Sequence, residues 1–339
     1  METVYSEKTK RRTLLLDIGS TNVKWRVGAE RGTLPFPEAS RDDGVRYEVP
    51  TEAIWKAVSV LIAQSMADRI FLSVQMHGYV LLKGGKEVTA YISWRDRRGM
   101  SEAENFFLPK ESGTSVKPNL PRLSIRAQKV DFDCFCTLGS YLSYRLTGRN
   151  ITHITDAAAS GFYNIRTRTA EKCKFLLPEV AYDICESGSF FGRTVYVPVG
   201  DQQASAAGAC GVSEDTGEYI WNLGTAAQMC AIENGFVAGD YESRPYFSNR
   251  TICMVSGLSG GAVLNELCEE DAEEKLLKDC FDAVSKLPEK RRIAAVGGVV
   301  KYKRDLLERV LRKTGIDYQL GEKADALGGL QILSEAIKR

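Results

Sequence analysis

The 339-residue chain has little of what metal centres, nucleic-acid interfaces and membrane spans require. It contains only two histidines, His77 and His153, and none of its cysteines forms a Cys-X-X-Cys pair, which argues against a Cys/His metal site. A formal net charge of +1 gives no reason to expect nucleic acid or an acidic membrane as a partner. No run of about 18 apolar residues is present, so we expect no membrane-spanning helix.

The chain also lacks the features of a secreted protein. The apolar run Leu14–Leu16, which follows a basic stretch, stops at Asp17 and is too short for the core of a signal peptide. The nine cysteines are an odd number, scattered from Cys134 to Cys280, which favours buried, reduced thiols over a disulfide framework. Together these observations predict a cytoplasmic protein.

What the chain does contain is typical of a globular protein of two or three domains. Its composition is 44% hydrophobic and 26% charged. The polar, turn-rich segment 211–217 predicts a boundary that divides the chain into residues 1–211 and 212–339.

Three apolar strands run into turns that contain glycine, at Gly19, at Gly224 and at Gly297-Gly298. The first two strands, predicted over 13–18 and 218–223, are each followed by a second strand, predicted over 22–27 and 228–232. They therefore indicate hairpins rather than the strand-to-helix turn of a P-loop or Rossmann domain. The second half of the chain thus begins as the first does, which predicts two related domains with a cleft between them. Two such turns that face each other can hold a nucleoside triphosphate.

Periodicity predicts the remaining large elements. A helix over 51–67 with Thr51 as its cap is expected, and Asp156 is expected to cap another short helix. Further segments are predicted as a buried strand at 69–75, a hairpin around Gly84-Gly85, and helices over 134–146, 201–209, 260–284, 302–313 and 323–338.

On these motifs the chain resembles the FGGY carbohydrate kinases, within the superfamily that includes actin and hexokinase. The resemblance runs from about Leu14 to Leu333, and in chain order it rests on Asp17–Lys24, Gln75–Gly78, Trp94–Arg98, Gly200–Ala204, Asn222–Thr225, Gly297-Gly298 and Ala326–Gly329. Within the family, segments 156–164, 245–251 and 260–264 are most similar to sedoheptulokinase. The resemblance implies an α/β fold of two actin-like (ribonuclease H-like) domains around a central cleft. It also implies ATP and Mg²⁺ as cofactors and a small sugar as substrate.

The resemblance implies two catalytic carboxylates. Asp201 would be the general base that accepts the proton of the sugar hydroxyl, although an aspartate before an Ala-rich helix is also a common N-cap. Asp17 would orient Mg²⁺ through water, because Mg²⁺ favours few carboxylates and many waters. The alternative for Asp17 is an ordinary turn residue.

The resemblance also assigns binding residues. Those expected to contact sugar are Gln75, Met76, His77, Trp94, Asp96, Arg98 and Gln202. Those expected to contact nucleotide are Gly19, Ser20, Thr21, Asn22, Lys24, Gly224, Thr225, Gly297, Gly298 and Ala326. Alternatives stay open: Lys24 can face solvent, His77 can be a satisfied core histidine, and Arg98 can hold Asp96 in place instead of touching sugar. Val299 stands where the family often has a small residue, which leaves the adenine contact open.

One departure from the family bears on activity. After Gly260-Gly261 the sequence does not show the usual helices of the second domain, and the charged stretch Glu269–Lys286 stands in their place. The second domain is therefore shortened, and the chain is either an active kinase with altered stability, dimerisation or lid closure, or a degenerate one. The alternatives to a sedoheptulokinase are a xylulokinase-like or other sugar or polyol kinase, and an actin-like ATPase or binding protein without kinase activity. A homodimer is possible.

Overall fold

A computed structural model describes residues 11–99, 121–210, 217–321 and 325–337. The strands are Thr13–Ile18, Asn22–Val27, Glu30–Pro35, Arg41–Asp42, Tyr47–Val49, Arg69–Val74, Tyr79–Lys83, Lys86–Glu87, Tyr91–Ile92, Cys134–Thr137, Ile151–His153, Tyr163–Asn164, Thr169–Ala170, Glu179–Ala181, Glu186–Phe190, Arg193–Tyr196, Val199–Gly200, Glu218–Leu223, Ala227–Glu233, Glu242–Pro245, Thr251–Leu258, Arg292–Val296 and Asp317–Gly321. The α-helices are Thr51–Ser65, Pro121–Ser124, Leu138–Thr147, Ile154–Ala157, Asp201–Cys210, Gly261–Leu264, Glu269–Lys286, Gly298–Tyr302, Arg304–Thr314 and Ala326–Ala336, with 3₁₀ turns at Ile125–Ala127 and Ala158–Ser160.

The first sheet is built around the buried strand Thr13–Ile18. This strand pairs antiparallel with Asn22–Val27, which pairs antiparallel with Glu30–Pro35. On its other side it pairs parallel with Arg69–Val74, and Arg193–Tyr196 and Val199–Gly200 in turn pair parallel with that strand. The result is an antiparallel meander joined to parallel strands, with Glu186–Phe190 at the far edge.

A second copy of this topology forms the sheet of the other half, which we call the third sheet. Its central strand Glu218–Leu223 pairs antiparallel with Ala227–Glu233, and that strand pairs antiparallel with Thr251–Leu258. Its parallel neighbours are Arg292–Val296 and then Asp317–Gly321. The predicted internal repeat is therefore confirmed, and each half has a mixed sheet with helices, as the expected α/β fold requires.

A smaller sheet lies in the first half and carries the segment Trp94–Arg98 at the end of one strand. In this second sheet Cys134–Thr137, Tyr79–Lys83, Tyr91–Ile92, Tyr47–Val49 and Arg41–Asp42 follow one another across the sheet, and Lys86–Glu87 pairs with Tyr79–Lys83. Gly84 and Gly85 both have positive φ, so the predicted hairpin turn is confirmed.

Two helices cross between the halves. The helix Asp201–Cys210 lies against the third sheet as well as the first, and the last helix, Ala326–Ala336, packs on the first sheet, where the Arg69 guanidinium donates to the Ser334 carbonyl at 3.3 Å. Gly329 permits the close crossing of the two helices, because a Cβ there would lie 1.8 Å from the Ala204 carbonyl oxygen. Residues of both halves consequently share one core cluster. The division at residues 211 and 212 stays a prediction.

Several sequence predictions of local structure are wrong. Cys134–Thr137 is a strand, and only Leu138–Thr147 is helical, because the β-pairing of Cys134 with Leu82 outweighs a helical pattern. Thr51 is the first helical residue and provides no cap, since Pro50 holds the N-cap position. The helix Ile154–Ala157 is capped by His153, whose ring nitrogen faces the Thr155 N–H, and Asp156 has a different role.

Three further properties concern the chain as a whole. All nine cysteines are free, and four of them (Cys136, Cys230, Cys253 and Cys280) are buried, whereas Cys185 and Cys268 are exposed. Within the described ranges no helix is long and apolar enough to cross a membrane. The same ranges contain no group of three or more histidine, cysteine or acidic side chains arranged to hold a metal ion.

Candidate active site

Three parallel strands of the first sheet end at the same level. Ile18 is paired with Val74, and Val74 is paired with Gly200. The residues that follow these three positions emerge together at the carboxyl edge of the sheet, where open α/β sheets carry their ligands. Asp201 is one of them, and it begins the helix Asp201–Cys210.

The first turn is joined to this edge by hydrogen bonds. The Gln75 backbone N–H donates to the Ile18 carbonyl at 2.8 Å, and the Gln75 side-chain amide donates to the Gly19 carbonyl at 3.2 Å. The Gly19 N–H donates across the turn to the Asn22 carbonyl at 3.0 Å. The turn is thereby held rigid, while its outer residue Thr21 is exposed.

Asp17 is a buried carboxylate near the end of the first strand, close to the first turn. One oxygen accepts a hydrogen bond from the Ser73 hydroxyl at 2.8 Å, and the other lies 3.5 Å from the Lys24 ammonium. Burial raises the pKa of Asp17, and Ser73 and Lys24 lower it in part. The sequence left open whether Lys24 binds phosphate or faces solvent. The structure places its ammonium group beside Asp17, with the side chain about half exposed.

Asp201 is half-buried at the same edge, so that part of its surface is open to a ligand while its carboxyl group is largely enclosed. Burial of its carboxyl group, and then the negative charge of Asp17, raise the pKa of Asp201 to about 7. Its own oxygen accepts a hydrogen bond from the Gln202 N–H at 2.8 Å, and the Arg244 cation opposes the rise. The two acids thus interact electrostatically, and Asp201 is poised near neutral pH.

A buried polar network supports the chain just before Asp201. The Thr155 hydroxyl accepts a hydrogen bond from the Gly200 N–H at 3.1 Å. Asp156 accepts from the hydroxyls of Thr137 (2.5 Å) and Thr152 (2.8 Å), and burial raises its pKa to about 6. Since these groups lie beneath the turn and face inward, they fix its position.

The second turn lies at the corresponding place in the third sheet. Gly261 and Ala262 donate their N–H groups to the carbonyls of Gly224 (2.8 Å) and Thr225 (3.1 Å). Gly260 has to be glycine, because a Cβ there would lie 2.5 Å from the Thr225 oxygen. Thr225 itself is exposed and available to a ligand.

The third glycine turn follows the parallel strand Arg292–Val296. Gly297 has φ of 109°, and a Cβ there would lie 2.6 Å from the Leu223 carbonyl, so the turn packs tightly on the second one. Gly298 faces open space. The Val299 side chain is buried in the core of the second half, and the adenine contact stays a prediction.

The comparisons with known proteins agree with this geometry. No family model matches the chain. A glycerol kinase from Agrobacterium fabrum (strain C58 / ATCC 33970) is 29% identical over 229 residues, which are 53% of this chain and 45% of that protein. The match therefore spans less than half of that relative.

Similarity in three dimensions is more extensive. A ligand-bound xylulose kinase from Lactobacillus acidophilus superposes with a TM-score of 0.84 at 16% identity, over 97% of this chain and 90% of that one. A gluconate kinase from the same organism superposes with a TM-score of 0.81 at 16% identity, over 96% of this chain and 90% of that one. A Plasmodium falciparum glycerol kinase with ADP superposes with a TM-score of 0.77 at 14% identity, over 96% of this chain and 90% of that one. The fold is that of the two-domain sugar kinases.

The residues expected to contact sugar differ in how far their side chains are exposed. Met76 is buried, and a Cβ on Gly200 would lie 2.6 Å from its sulfur, so it packs beneath the Asp201 turn. His77 has φ of 64°, a conformation unusual for a residue other than glycine. Trp94 is 39% exposed, with the Arg95 guanidinium 5.6 Å from its ring centre, so its indole can cover an apolar face of a sugar.

Asp96 and Arg98 bind each other. The Asp96 carboxylate accepts from the Arg98 guanidinium at 2.6 Å and from the Tyr47 N–H at 3.0 Å, and it is 1% exposed. Arg98 also contacts Glu48 at 2.8 Å and Gln128 at 3.1 Å. Of the two alternatives that the sequence left open, the geometry favours the one in which Arg98 holds Asp96, and no oxygen of Asp96 points out of this cluster unpaired.

Two other residues that were expected to contact a ligand have side chains that contact other parts of the protein. The Gln202 side chain contacts the second half: its amide donates to Gln228 at 2.9 Å and accepts from Arg244 at 2.6 Å. The Ala326 methyl group is buried in the core that joins the halves, which leaves no exposed side chain for a nucleotide. Asp325, just before it, caps the last helix by accepting from the Gly328 N–H at 2.8 Å.

Sequence reasoning missed three residues that shape the site: Ser73, Asp156 and Arg244. Ser73 directly precedes the Val74-Gln75 strand end, and alternation along the strand places it beside Asp17, so register could have identified it. Asp156 was assigned a capping role from local pattern alone. Arg244 reaches the site from a distant strand, and no local pattern indicates it.

Proposed function

We propose that the protein transfers the γ-phosphoryl group of ATP to a hydroxyl group of a small sugar, a ketose such as sedoheptulose in the first instance. The observation that carries the proposal is the pair of carboxylates Asp17 and Asp201 at one sheet edge, close enough for the charge of Asp17 to raise the pKa of Asp201. Glycine turns of both halves lie at the ends of the corresponding strands. Phosphoryl transfer needs little more than alignment and charge neutralisation, which this arrangement can supply.

Asp201 acts as the general base in this mechanism. The sugar hydroxyl gives its proton to the Asp201 carboxylate while its oxygen forms the new bond to the γ-phosphorus, and the bond from that phosphorus to the ADP oxygen breaks. The pKa of about 7 makes the carboxylate a stronger base than an exposed aspartate, while it remains largely ionised just above neutrality. The partial exposure of Asp201 gives the hydroxyl access.

Asp17 and the turns hold the phosphates. A single buried carboxylate with a serine on one oxygen suits Mg²⁺ bound through water, and the metal would neutralise charge on the β- and γ-phosphates. Ser20, Thr21, Asn22 and Lys24 provide donors on the first side, and Gly224 and Thr225 provide them on the second. Gly297 and Gly298 would lie against the nucleoside. ATP thereby contacts mainly the second half, and sugar mainly the first.

The sugar would lie on His77 and Trp94, with Arg98 and the buried Gln75, Met76 and Asp96 shaping the pocket from behind. The structural neighbours act on xylulose, gluconate and glycerol by their names, so a xylulokinase-like or polyol activity is the alternative to sedoheptulose. Closure of the two halves would exclude water and limit hydrolysis of ATP. We further propose a cytoplasmic location, in keeping with nine free thiols, and a homodimer as one possible assembly.

The test is a screen for ADP release over ketoses, polyols and aldoses, run on the native protein and on Asp201→Asn. We expect sugar-dependent ADP release by the native protein and a loss of about a thousandfold in the variant, with ADP binding retained. Asp317→Asn is the matched control, since it makes the same change at an exposed aspartate that also accepts a hydrogen bond from the next N–H, that of Tyr318 at 2.9 Å, and it should keep most of the activity. Sugar-independent hydrolysis would favour an ATPase instead, and an active Asp201→Asn would overturn the base assignment.

A further inference from the structure

A cavity of about 310 Å³ lies away from the carboxylates, between the two halves of the molecule. One wall comes from the first half, with Arg166, Arg168 and Tyr182, and the other from the second, with Asn249 and Arg250. Neither Asp17 nor Asp201 lines it. Its volume is at the lower end of the range of about 300–1,000 Å³ that is usual for small-molecule sites.

Arginine side chains bring positive charge to the lining of the cavity. Three of its lining residues are arginines, and among the described residues that line it none is acidic. Like charges around a recess with protein walls focus a positive potential into it, which attracts anions. Asn249 and Thr251 add neutral polar groups, so the lining can hydrogen-bond an anion as well as attract it.

Two of the three arginines are held in place by contacts that the structure shows. Arg250 is 5% exposed, its Nε donates to the Phe247 carbonyl at 3.3 Å, and its guanidinium lies 5.3 Å from the centre of the Tyr246 ring. The Arg168 guanidinium lies 5.2 Å from the centre of the Tyr182 ring, and the Tyr182 hydroxyl donates to the Arg168 carbonyl at 3.0 Å. A guanidinium positioned by an aromatic face loses less freedom when it binds a ligand than an unrestrained side chain does.

We infer that this arginine pocket is a second ligand site, which binds a small phosphate monoester. Guanidinium groups form paired hydrogen bonds with phosphate oxygens, and three of them match the two negative charges that a monoester carries above its second pKa. The apolar lining residues Ile154, Ile165 and Phe236 can cover the carbon skeleton.

Both walls of the arginine pocket connect to the catalytic edge. Ile154 begins the short helix in which Thr155 accepts from the Gly200 N–H, and the Pro245 carbonyl accepts from the Gln203 amide in the Asp201 helix. A ligand that bridges the walls would therefore bias how the two halves sit at the catalytic edge. Binding itself does not depend on the proposed kinase function.

Calorimetric titration with inorganic phosphate and with glycerol 3-phosphate tests the inference, with glycerol as the uncharged probe. We expect saturable binding of glycerol 3-phosphate, weaker binding of inorganic phosphate and none of glycerol. The double variant Arg166→Gln, Arg168→Gln should bind glycerol 3-phosphate at least about tenfold more weakly, because it loses two charged donors. Both arginines are exposed turn residues, so the fold should survive.

Two further variants make the result specific. Arg31→Gln removes an exposed arginine far from the pocket lining, and it should bind as the native protein does. Arg168→Lys keeps the charge but loses the paired donors, and it should bind with intermediate affinity. The inference is overturned if the native protein shows no saturable binding at millimolar concentrations, or if the double variant binds as tightly as Arg31→Gln does. Either result leaves the kinase test unaffected.

Discussion

The two halves of the molecule use one topology with different charges. In the first sheet the strand before the turn carries Asp17, which faces Lys24 across the hairpin. In the third sheet the corresponding pair is Asn222 and Gln228, both neutral. The first turn therefore has an ion pair and a titratable acid beside it, whereas the corresponding pair beside the second turn is neutral. Under the proposed function, the repeat would supply two phosphate turns, of which only the first has a carboxylate beside it for metal chemistry.

The largest expected effect comes from making the first turn like the second. Asp17→Asn removes the carboxylate that we assign to Mg²⁺ while it keeps the size of the side chain, and sugar-dependent turnover should fall by about a hundredfold to a thousandfold. Steady-state ADP release measures it. Asp42→Asn, at an exposed edge-strand position, is the control. Turnover near that of the native protein would mean that the charge difference between the halves has no catalytic role.

The next effect concerns the joint between the halves. Gly329→Ala places a methyl group 1.8 Å from the Ala204 carbonyl, so the crossing helices must separate, and we expect unfolding free energy to fall by about 3 kcal/mol. Gly298→Ala is the control, because a Cβ there meets nothing within 4 Å. Chemical denaturation of both variants gives the comparison. Equal stabilities would show that the two helices do not hold the halves together.

The pH dependence of turnover tests the proposal that Asp201 is the general base. A base with a pKa of about 7 is protonated below that value, so kcat/KM should rise roughly tenfold per pH unit up to about pH 7 and then level off. Stability depends on pH in the opposite direction. The folded protein holds the Asp201 proton more tightly than the unfolded chain does, so the contribution of Asp201 to the free energy of unfolding declines as pH rises from about 4 to 7. A profile that is flat between pH 5 and 8 would contradict the assignment.

The smallest effect comes from making the second turn like the first. The Asn222 side chain lies beside Gly297, since its Oδ1 is 3.1 Å from where a Cβ on Gly297 would lie. In Asn222→Asp a new negative charge would repel the nucleotide phosphates, and ADP should bind about tenfold more weakly. Asn234→Asp, at an exposed position, is the control for added charge. Unchanged affinity for ADP would place the phosphates elsewhere.

The sequence predicts local elements well where one strong pattern governs them. The strands on both sides of the first turn have the predicted bounds, because an apolar run that meets glycine and polar residues has no competing structure. Many short strands were missed, such as Glu186–Phe190, since two-sided pairing of a few residues leaves no clear period. The strand at Cys134–Thr137 was hidden within a helical pattern.

The residues of the candidate site likewise divide into those that the sequence could identify and those that it could not. Asp17 and Asp201 could be identified from the chain, since each stands at the end of an apolar strand in a recognisable motif. The directions of Gln202, Asp96 and Ala326 could not, because they depend on partners such as Arg244 and Tyr47 that are remote in the chain. The arginine pocket is similarly formed by segments about 80 residues apart.

By itself, the sequence determined two repeats of a strand, a glycine turn and a strand, together with the acids beside them, because turn chemistry and apolar runs act between near neighbours. Only the tertiary structure decided which carboxylates share an environment, which side chains are used to join the halves, and that Asp201 has a pKa near neutrality. Burial and the field of a distant charge arise from packing, and no local pattern encodes them.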